Sequence, residues 1–236
     1  MRLDRYLSSV TALSRSQAQR AIRAGRVRVD GVPVRRPDQD CPLHASVELD
    51  GRPLERPGHR YFMLHKPKGY VCSSADMHNS TVLELLHEPV LSGLHFAGRL
   101  DKDATGLVLI TDDGAWSHQL VAPNRNCPKT YRVDLAEPLC AVAADGLRRG
   151  VLLRGEMQPT RPAILEMLSP SCIRLTIYEG RYHQVKRMLA AVGNRVVGLH
   201  RERIAALTLD ANLQPGQYRA LSRTEILSVA PPTGTT

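Results

Sequence analysis

The chain has 236 residues and a mass of 26.1 kDa, with 32 Lys and Arg against 23 Asp and Glu, a net charge of +9 and an isoelectric point near 9.7. Such a length holds one large domain, or one domain with a small appendage. Its apolar runs, such as 106–110, are only a few residues long, which excludes a membrane-spanning helix, and the start Met1-Arg2-Leu3-Asp4-Arg5-Tyr6 has no secretory core, so a cytoplasmic protein is expected.

Residues 1–36 carry nine arginines against Asp4 and Asp30, a balance of +7. Leu3, Leu7 and Val10 recur at helical spacing, and Ser14 is placed to cap a second helix over 15–24 that Gly25 stops. Arg26-Val27-Arg28-Val29 alternates as a half-buried strand does, and Asp30-Gly31 signals a turn before Val32-Pro33-Val34. Residues 1–50 thus read as a small helical unit with a short sheet. Arg15, Gln19 and Arg23 share a helix face, Arg26 and Arg28 share a strand face, and Arg15, Arg23, Arg26 and Arg28 are candidate contacts to a polyanion.

Two prolines and two glycines within 51–58 predict a linker over 51–59. A larger domain is expected over 60–230 and a frayed tail over 231–236. Strands are predicted at 61–64, 107–111, 130–135 and 173–178, and helices at 81–86, 116–121 and 184–192. They do not alternate regularly, which predicts an α+β fold with a mixed, mainly antiparallel sheet over a doubly wound one. Cys41, Cys72, Cys127, Cys140 and Cys172 are scattered, with no CxxC pair and no zinc spacing, so they read as reduced thiols and no metal site is expected.

No Walker loop, GxGxxG, GxSxG or HExxH occurs. Lys66-Pro67-Lys68-Gly69-Tyr70 is either a turn or a nucleic-acid contact through Lys66. Within 97–114, Asp112-Asp113-Gly114 reads as a hairpin or turn. Asp101 differs, because it sits in a polar loop ahead of an apolar strand with Arg99 and Lys102 beside it, and nearby cations favour an ionised carboxylate. An ionised, positioned carboxylate suits attack at an anomeric carbon, and equally a structural salt bridge. In 177–189 a strand gives way to a helix, with Lys186 able to pair with a carboxylate, Arg181 and Arg187 able to hold phosphates, and His183 either a hydrogen-bonding support or a proton carrier. Residues 172–204 have a balance of +5, so two separated basic surfaces suggest a polyanion gripped at two places.

Resemblance sharpens these readings. Arg2-Leu3-Asp4-Arg5-Tyr6-Leu7, Ser14-Arg15-Ser16-Gln17-Ala18 and Gly25-Arg26-Val27-Arg28-Val29-Asp30-Gly31 resemble the small αL RNA-binding module first described in a ribosomal protein. Gly98-Arg99-Leu100-Asp101 with Thr105-Gly106-Leu107, then Lys129-Thr130-Tyr131, then Glu179-Gly180-Arg181-Tyr182-His183-Gln184-Val185-Lys186-Arg187-Met188 resemble the three active-site motifs of pseudouridine synthases, in order. Within that family Trp116-Ser117-His118, Leu199-His200-Arg201-Glu202-Arg203-Ile204 and Lys186 itself look like the RsuA branch, which acts on 16S rRNA. The resemblance implies Asp101 as nucleophile or proton-abstracting carboxylate, Tyr131 against the target base, Lys186 paired with Asp101, and Arg99, Arg181, His183, Gln184 and Arg187 as RNA contacts. It also implies a flipped-out uridine, no cofactor, and as partner 16S rRNA or a partly assembled small ribosomal subunit, met by a monomer with neither a membrane nor a protein partner. The rivals are a synthase of large-subunit rRNA, a non-catalytic rRNA-binding assembly factor, and a DNA-binding regulator, for which no recognition-helix motif is present.

Overall fold

The computed structural model describes residues 1–42, 45–54 and 58–229, and the chain divides into two units, Met1–His59 with His87–Leu94, and Arg60–Leu86 with the chain from His95 onward. In the first unit, helices α1 (Leu3–Val10) and α2 (Arg15–Arg23) precede strands β1 (Val27–Val29), β2 (Val32–Val34), β3 (Val47–Leu49) and β4 (Arg52–Leu54). Ser14 and Gln17 form a reciprocal capping box at the start of α2, each side chain accepting the other's backbone N–H. The strands form an antiparallel sheet in the order β2-β1-β3-β4. Two-residue turns make both hairpins: Asp30-Gly31 has φ of 50° and 78°, and Asp50-Gly51 has 53° and 74°. A positive φ at both central residues matches the right-handed twist of the flanking strands.

Leu3, Tyr6, Leu7 and Ile22 of the helices bury against Val27, Val29 and Val47 of the sheet. A fully buried carboxylate ties the two helices together. Asp4 accepts from Gln19 at 2.8 Å, Arg2 at 3.0 Å and Arg15 at 3.3 Å. Burial opposes its ionisation, but these hydrogen bonds outweigh burial and hold its pKa at about 2. The expected linker is corrected here, since 52–54 is an edge strand of this sheet. Its composition misled because Pro53, like Pro33 in β2, lies mid-strand on an edge, where a missing N–H costs no ladder bond. Residues 55–57 of that segment and the tail 231–236 lie outside the described residues.

The second unit contains β5 (Tyr61–Lys66), β6 (His95–Phe96), β7 (Thr105–Thr111), α3 (Gly114–Val121), β8 (Lys129–Leu135), α4 (Ala141–Arg149), β9 (Ile164–Ser169), β10 (Cys172–Ile177), α5 (Gln184–Ala191), β11 (Val196–Ile204), β12 (Leu207–Thr208), β13 (Tyr218–Ala220) and α6 (Arg223–Val229). Its nine-stranded sheet runs β13-β5-β7-β11-β8-β10-β9, with β6 beside β7 and β12 beside β11. Among the strands of this sheet in the described residues, only β7 with β11 pairs in parallel, which is the mainly antiparallel α+β architecture expected. Leu107, Val108, Leu109 and Ile110 are wholly buried, so β7 is covered on both faces, whereas β8 and β10 alternate between buried and partly open positions. β7 and β11 touch through two residue pairs, His200 with Thr105 and Arg201 with Gly106. Gly106 has φ +106°, and a Cβ there would overlap the Arg201 backbone, so the close approach requires glycine.

Two local readings change. Residues 82–85 form a single 3₁₀ turn. Asp112-Asp113-Gly114 opens a helix and not a hairpin: Asp113 caps α3 by accepting from the N–H groups of Ala115 and Trp116, and Asp112 accepts from Arg60 Nε at 2.8 Å.

Candidate active site

Asp101 lies in the loop between β6 and β7, and two buried cations fix that loop. Arg201 of β11, 1% exposed, donates to the carbonyls of Leu107 (2.8 Å), Arg99 (3.1 Å) and Gly98 (3.1 Å). Lys66, at the end of β5 and 0% exposed, donates to the carbonyls of Ala104 (2.7 Å), Pro67 (3.0 Å) and Lys102 (3.3 Å). A buried cation without a carboxylate is costly unless its donors are satisfied, and three carbonyls take all three donors of Lys66 and three of the five of Arg201. Burial pushes the Lys66 amine below its ordinary pKa. The reading of Lys66 as an RNA contact is therefore corrected: all its donors are spent inside, holding the loop.

The start of α5 supplies the partners of Asp101. Lys186 Nζ is 3.1 Å from Asp101 Oδ2 and 2.6 Å from Asp103 Oδ1, while His183 Nε2 is 3.3 Å from Asp101 Oδ1. Burial alone lowers the Lys186 pKa, but hydrogen bonds to Asp103 and Asp101 outweigh it, so Lys186 is raised and Asp103, bonded by Lys186, is lowered. His183, the residue before α5, has φ 48° and ψ 37°, a left-handed conformation uncommon for a side chain of this size.

The other residues of this motif brace it. Gln184 is buried, accepts from Arg181 N–H at 2.8 Å and donates to Glu179 at 2.8 Å. Arg181 donates to Glu179 and to the carbonyls of Gln158 (2.9 Å) and Pro159 (2.8 Å). Arg187 donates to Glu156 and to the carbonyls of Arg154 and Tyr182. Together they tie segment 154–159 to the start of α5. These internal bonds already engage Arg181, Gln184 and Arg187, and Arg181 and Gln184 also line the cavity that Asp101 faces.

Asp101 lines a cavity of about 400 Å³ together with Arg99, His183, Lys129 and Tyr131. Tyr131, on β8, is 7% exposed, and its hydroxyl has no protein partner among the described residues. Lys129, two residues away on the same strand face, donates to Cys127 O at 3.1 Å, and burial lowers its pKa. Phe96, Leu100, Ile177 and Leu199 add apolar wall, so the space suits one flat heterocycle with its sugar. Arg99 also lines the cavity, and it has no ion pair among the described residues.

The two basic stretches differ in structure. In 172–204, Arg174 pairs with Glu166 and Glu202, Arg181 and Arg187 with Glu156, and Lys186 with Asp101 and Asp103, while Arg201 is buried. The second basic surface expected from the charge count is thus largely neutralised within the protein. In the first unit Arg15 bonds Asp4 and Arg26 grips Asp50 with two bonds, whereas Arg23 and Arg28 have no ion pair among the described residues. Arg201 and Lys129 were given no role from sequence. Resemblance marks the segment 199–204, but nothing local separates the buried Arg201 from Arg203, and the partners of Arg201 are distant carbonyls.

Residues 60–191 match the family model for RNA pseudouridylate synthase, and residues 1–47 match the S4 domain. The chain is 54% identical over 230 residues to the ribosomal small subunit pseudouridine synthase A of Escherichia coli K12, covering 97% of this chain and 100% of that protein. To the protein of the same name from Vibrio cholerae it is 50% identical over 229 residues, covering 97% and 99%. A crystal structure of a pseudouridylate synthase, 44% identical, aligns with a TM-score of 0.71 over 98% of this chain and 100% of that one. With the match spanning the Asp101 loop, Tyr131 and the start of α5, the chain belongs to the RNA pseudouridylate synthase family and carries an S4 domain at its N-terminus.

Proposed function

We propose that the chain isomerises a specific uridine of small-subunit (16S) rRNA to pseudouridine, with Asp101 as the reacting carboxylate. The observation that carries this reading is the Asp101 carboxylate, gripped by Lys186 and His183, facing a nucleoside-sized cavity that Tyr131 also lines, its hydroxyl unpartnered among the described residues. Relatives named for the small ribosomal subunit, 54% identical over nearly the whole chain, support that substrate. The reaction breaks the C1′–N1 bond, turns the uracil and rejoins it through C5, with no net redox change. Asp101 detaches the base either by adding to C1′ or by removing a sugar proton to leave a glycal, and the cavity holds the free base in both cases. Tyr131 packs against the uracil, and its hydroxyl helps remove the C5 proton at the end, passing its own proton on to solvent as it accepts that one. The uridine leaves its stack to enter, and Arg99 fills the space it vacates or holds the adjoining phosphate.

Binding to RNA falls chiefly to the free arginines of the first unit. Replacing both Arg23 and Arg28 by Ala is expected to weaken binding to 16S rRNA and to flatten the plot of log affinity against log salt by about 1 for each residue. Titrations at several salt concentrations check this, and an unchanged slope would place the RNA elsewhere. On this reading the protein is a monomer working without a protein partner, in the cytoplasm where rRNA is assembled, on free rRNA or a partly assembled subunit.

Arg201 acts at one remove from the chemistry. Arg201→Met leaves three carbonyls without their donor, at about 3–5 kcal/mol, or roughly 10 °C in the Tm of the larger unit. Below that transition, turnover should fall about 10- to 100-fold as the Asp101 loop loses its position. Thermal melts paired with single-turnover assays read both effects, and full activity in a destabilised variant would separate Arg201 from the site.

The deciding experiment is carbodiimide mapping of pseudouridine in 16S and 23S rRNA incubated with the protein. A single new site in 16S rRNA is expected. Modification confined to 23S rRNA would overturn the substrate assignment.

A further inference from the structure

Tyr182 stands apart from the other aromatic residues. The chain has ten, and nine are buried or half-buried, whereas Tyr182 is 74% exposed just before α5. An aromatic ring left in water forgoes the apolar burial that usually places it inside. One face of the ring stacks on the imidazole of His183, with centroids 3.8 Å apart and planes 23° from parallel, and that imidazole reaches Asp101 at 3.3 Å. The left-handed backbone of His183 turns two consecutive side chains to the same side and so makes this stack. Arg187 fixes the Tyr182 carbonyl at 3.2 Å, and the neighbours Arg181 and His183 both line the cavity. The result is a braced, exposed aromatic plate between two cavity-lining residues, one imidazole away from the reacting carboxylate.

We infer that the open face of Tyr182 is a stacking platform for the nucleobase next in the RNA chain to the uridine that enters the cavity. This rests on the reading of the chain as a synthase acting on uridine in rRNA. Withdrawing a uridine from its stack uncovers the faces of its neighbours, and an exposed base face is best covered by a rigid aromatic ring. Every base has such a face, so the contact positions the strand without reading its sequence. The platform is joined through His183 to Asp101, so a base seated on Tyr182 sets the distance from its neighbour's sugar to the carboxylate.

After the modified uridine has been mapped, oligoribonucleotides spanning it are made complete and with an abasic ribose on its 5′ or its 3′ side. Tyr182→Ala is expected to lose about 5- to 150-fold in kcat/KM on the complete RNA. Wild type should lose the same amount on one of the two abasic RNAs, and on that RNA the Ala variant should lose nothing further. Tyr182→Phe should keep wild-type values. Equal kcat/KM for wild type and Tyr182→Ala on complete RNA would overturn the platform. So would an Ala deficit that persists on both abasic RNAs, because Tyr182 would then act through His183 alone, or a Phe variant as impaired as the Ala variant. A wild-type protein that forms no pseudouridine at all overturns the functional reading beneath it, an outcome visible before any variant is made.

Discussion

Asp101→Asn is expected to lower pseudouridine formation roughly 10⁴-fold or more while leaving RNA affinity near its wild-type value. Asparagine has the same shape, so its one side-chain oxygen can still accept from Lys186 while its NH2 faces the His183 ring nitrogen, which accepts in its other tautomer, and the loop remains held by Arg201 and Lys66. What disappears is the only chemistry the residue can offer, attack on carbon or removal of a proton, which an amide does not perform. The substitution therefore separates positioning from reaction more cleanly than alanine would. Release of tritium from C5-labelled uridine measures the reaction, and a filter-binding titration on the same RNA measures affinity. Turnover within tenfold of wild type would remove Asp101 from the mechanism, and lost affinity would show that its charge serves binding.

Tyr131→Phe should be the next most damaging single change, at about 10²- to 10⁴-fold in kcat with KM nearly unchanged. The ring stays, so the base still has its packing surface, and the buried position tolerates the loss of one oxygen that has no protein partner among the described residues. Only the last proton transfer, from C5 of the rejoined base, loses its acceptor. That step should then limit the rate, so deuterium at C5 should slow the variant more than it slows the wild type. Equal rates for the two proteins would leave the hydroxyl without a role.

The fold was legible where its signals are local. The Ser14 cap, the Gly25 stop and the Asp30-Gly31 turn depend on residues within a few positions of one another, and each stands where expected. The strand 52–54 was hidden because a proline mid-strand reads as a break until the strand is known to be an edge. Within the site, Asp101 and Lys186 do meet, and Tyr131 lines the same cavity, as the three motifs implied. Charge misled more than motif did. Lys66, Arg181 and Arg187 are cations in sequence, and nothing nearby in the chain shows that carbonyls and carboxylates far along it consume them. Arg174 likewise finds Glu202 on another strand, 28 residues away. Counting charge along a chain gives the total available to a ligand only after such internal pairs are removed, and here the removal leaves the N-terminal unit as the better-exposed basic face.

The narrow contact between β7 and β11 has a mechanical consequence. Two residue pairs join what are otherwise two leaves of the sheet, β13-β5-β7 on one side and β11-β8-β10-β9 on the other. Asp101 belongs to the first leaf and Tyr131 to the second, so the gap between carboxylate and ring is the gap between leaves. With so short a ladder, the spacing of the two leaves rests on side chains that cross it, Arg201 bonded to carbonyls of the other leaf and Thr105 paired with His200.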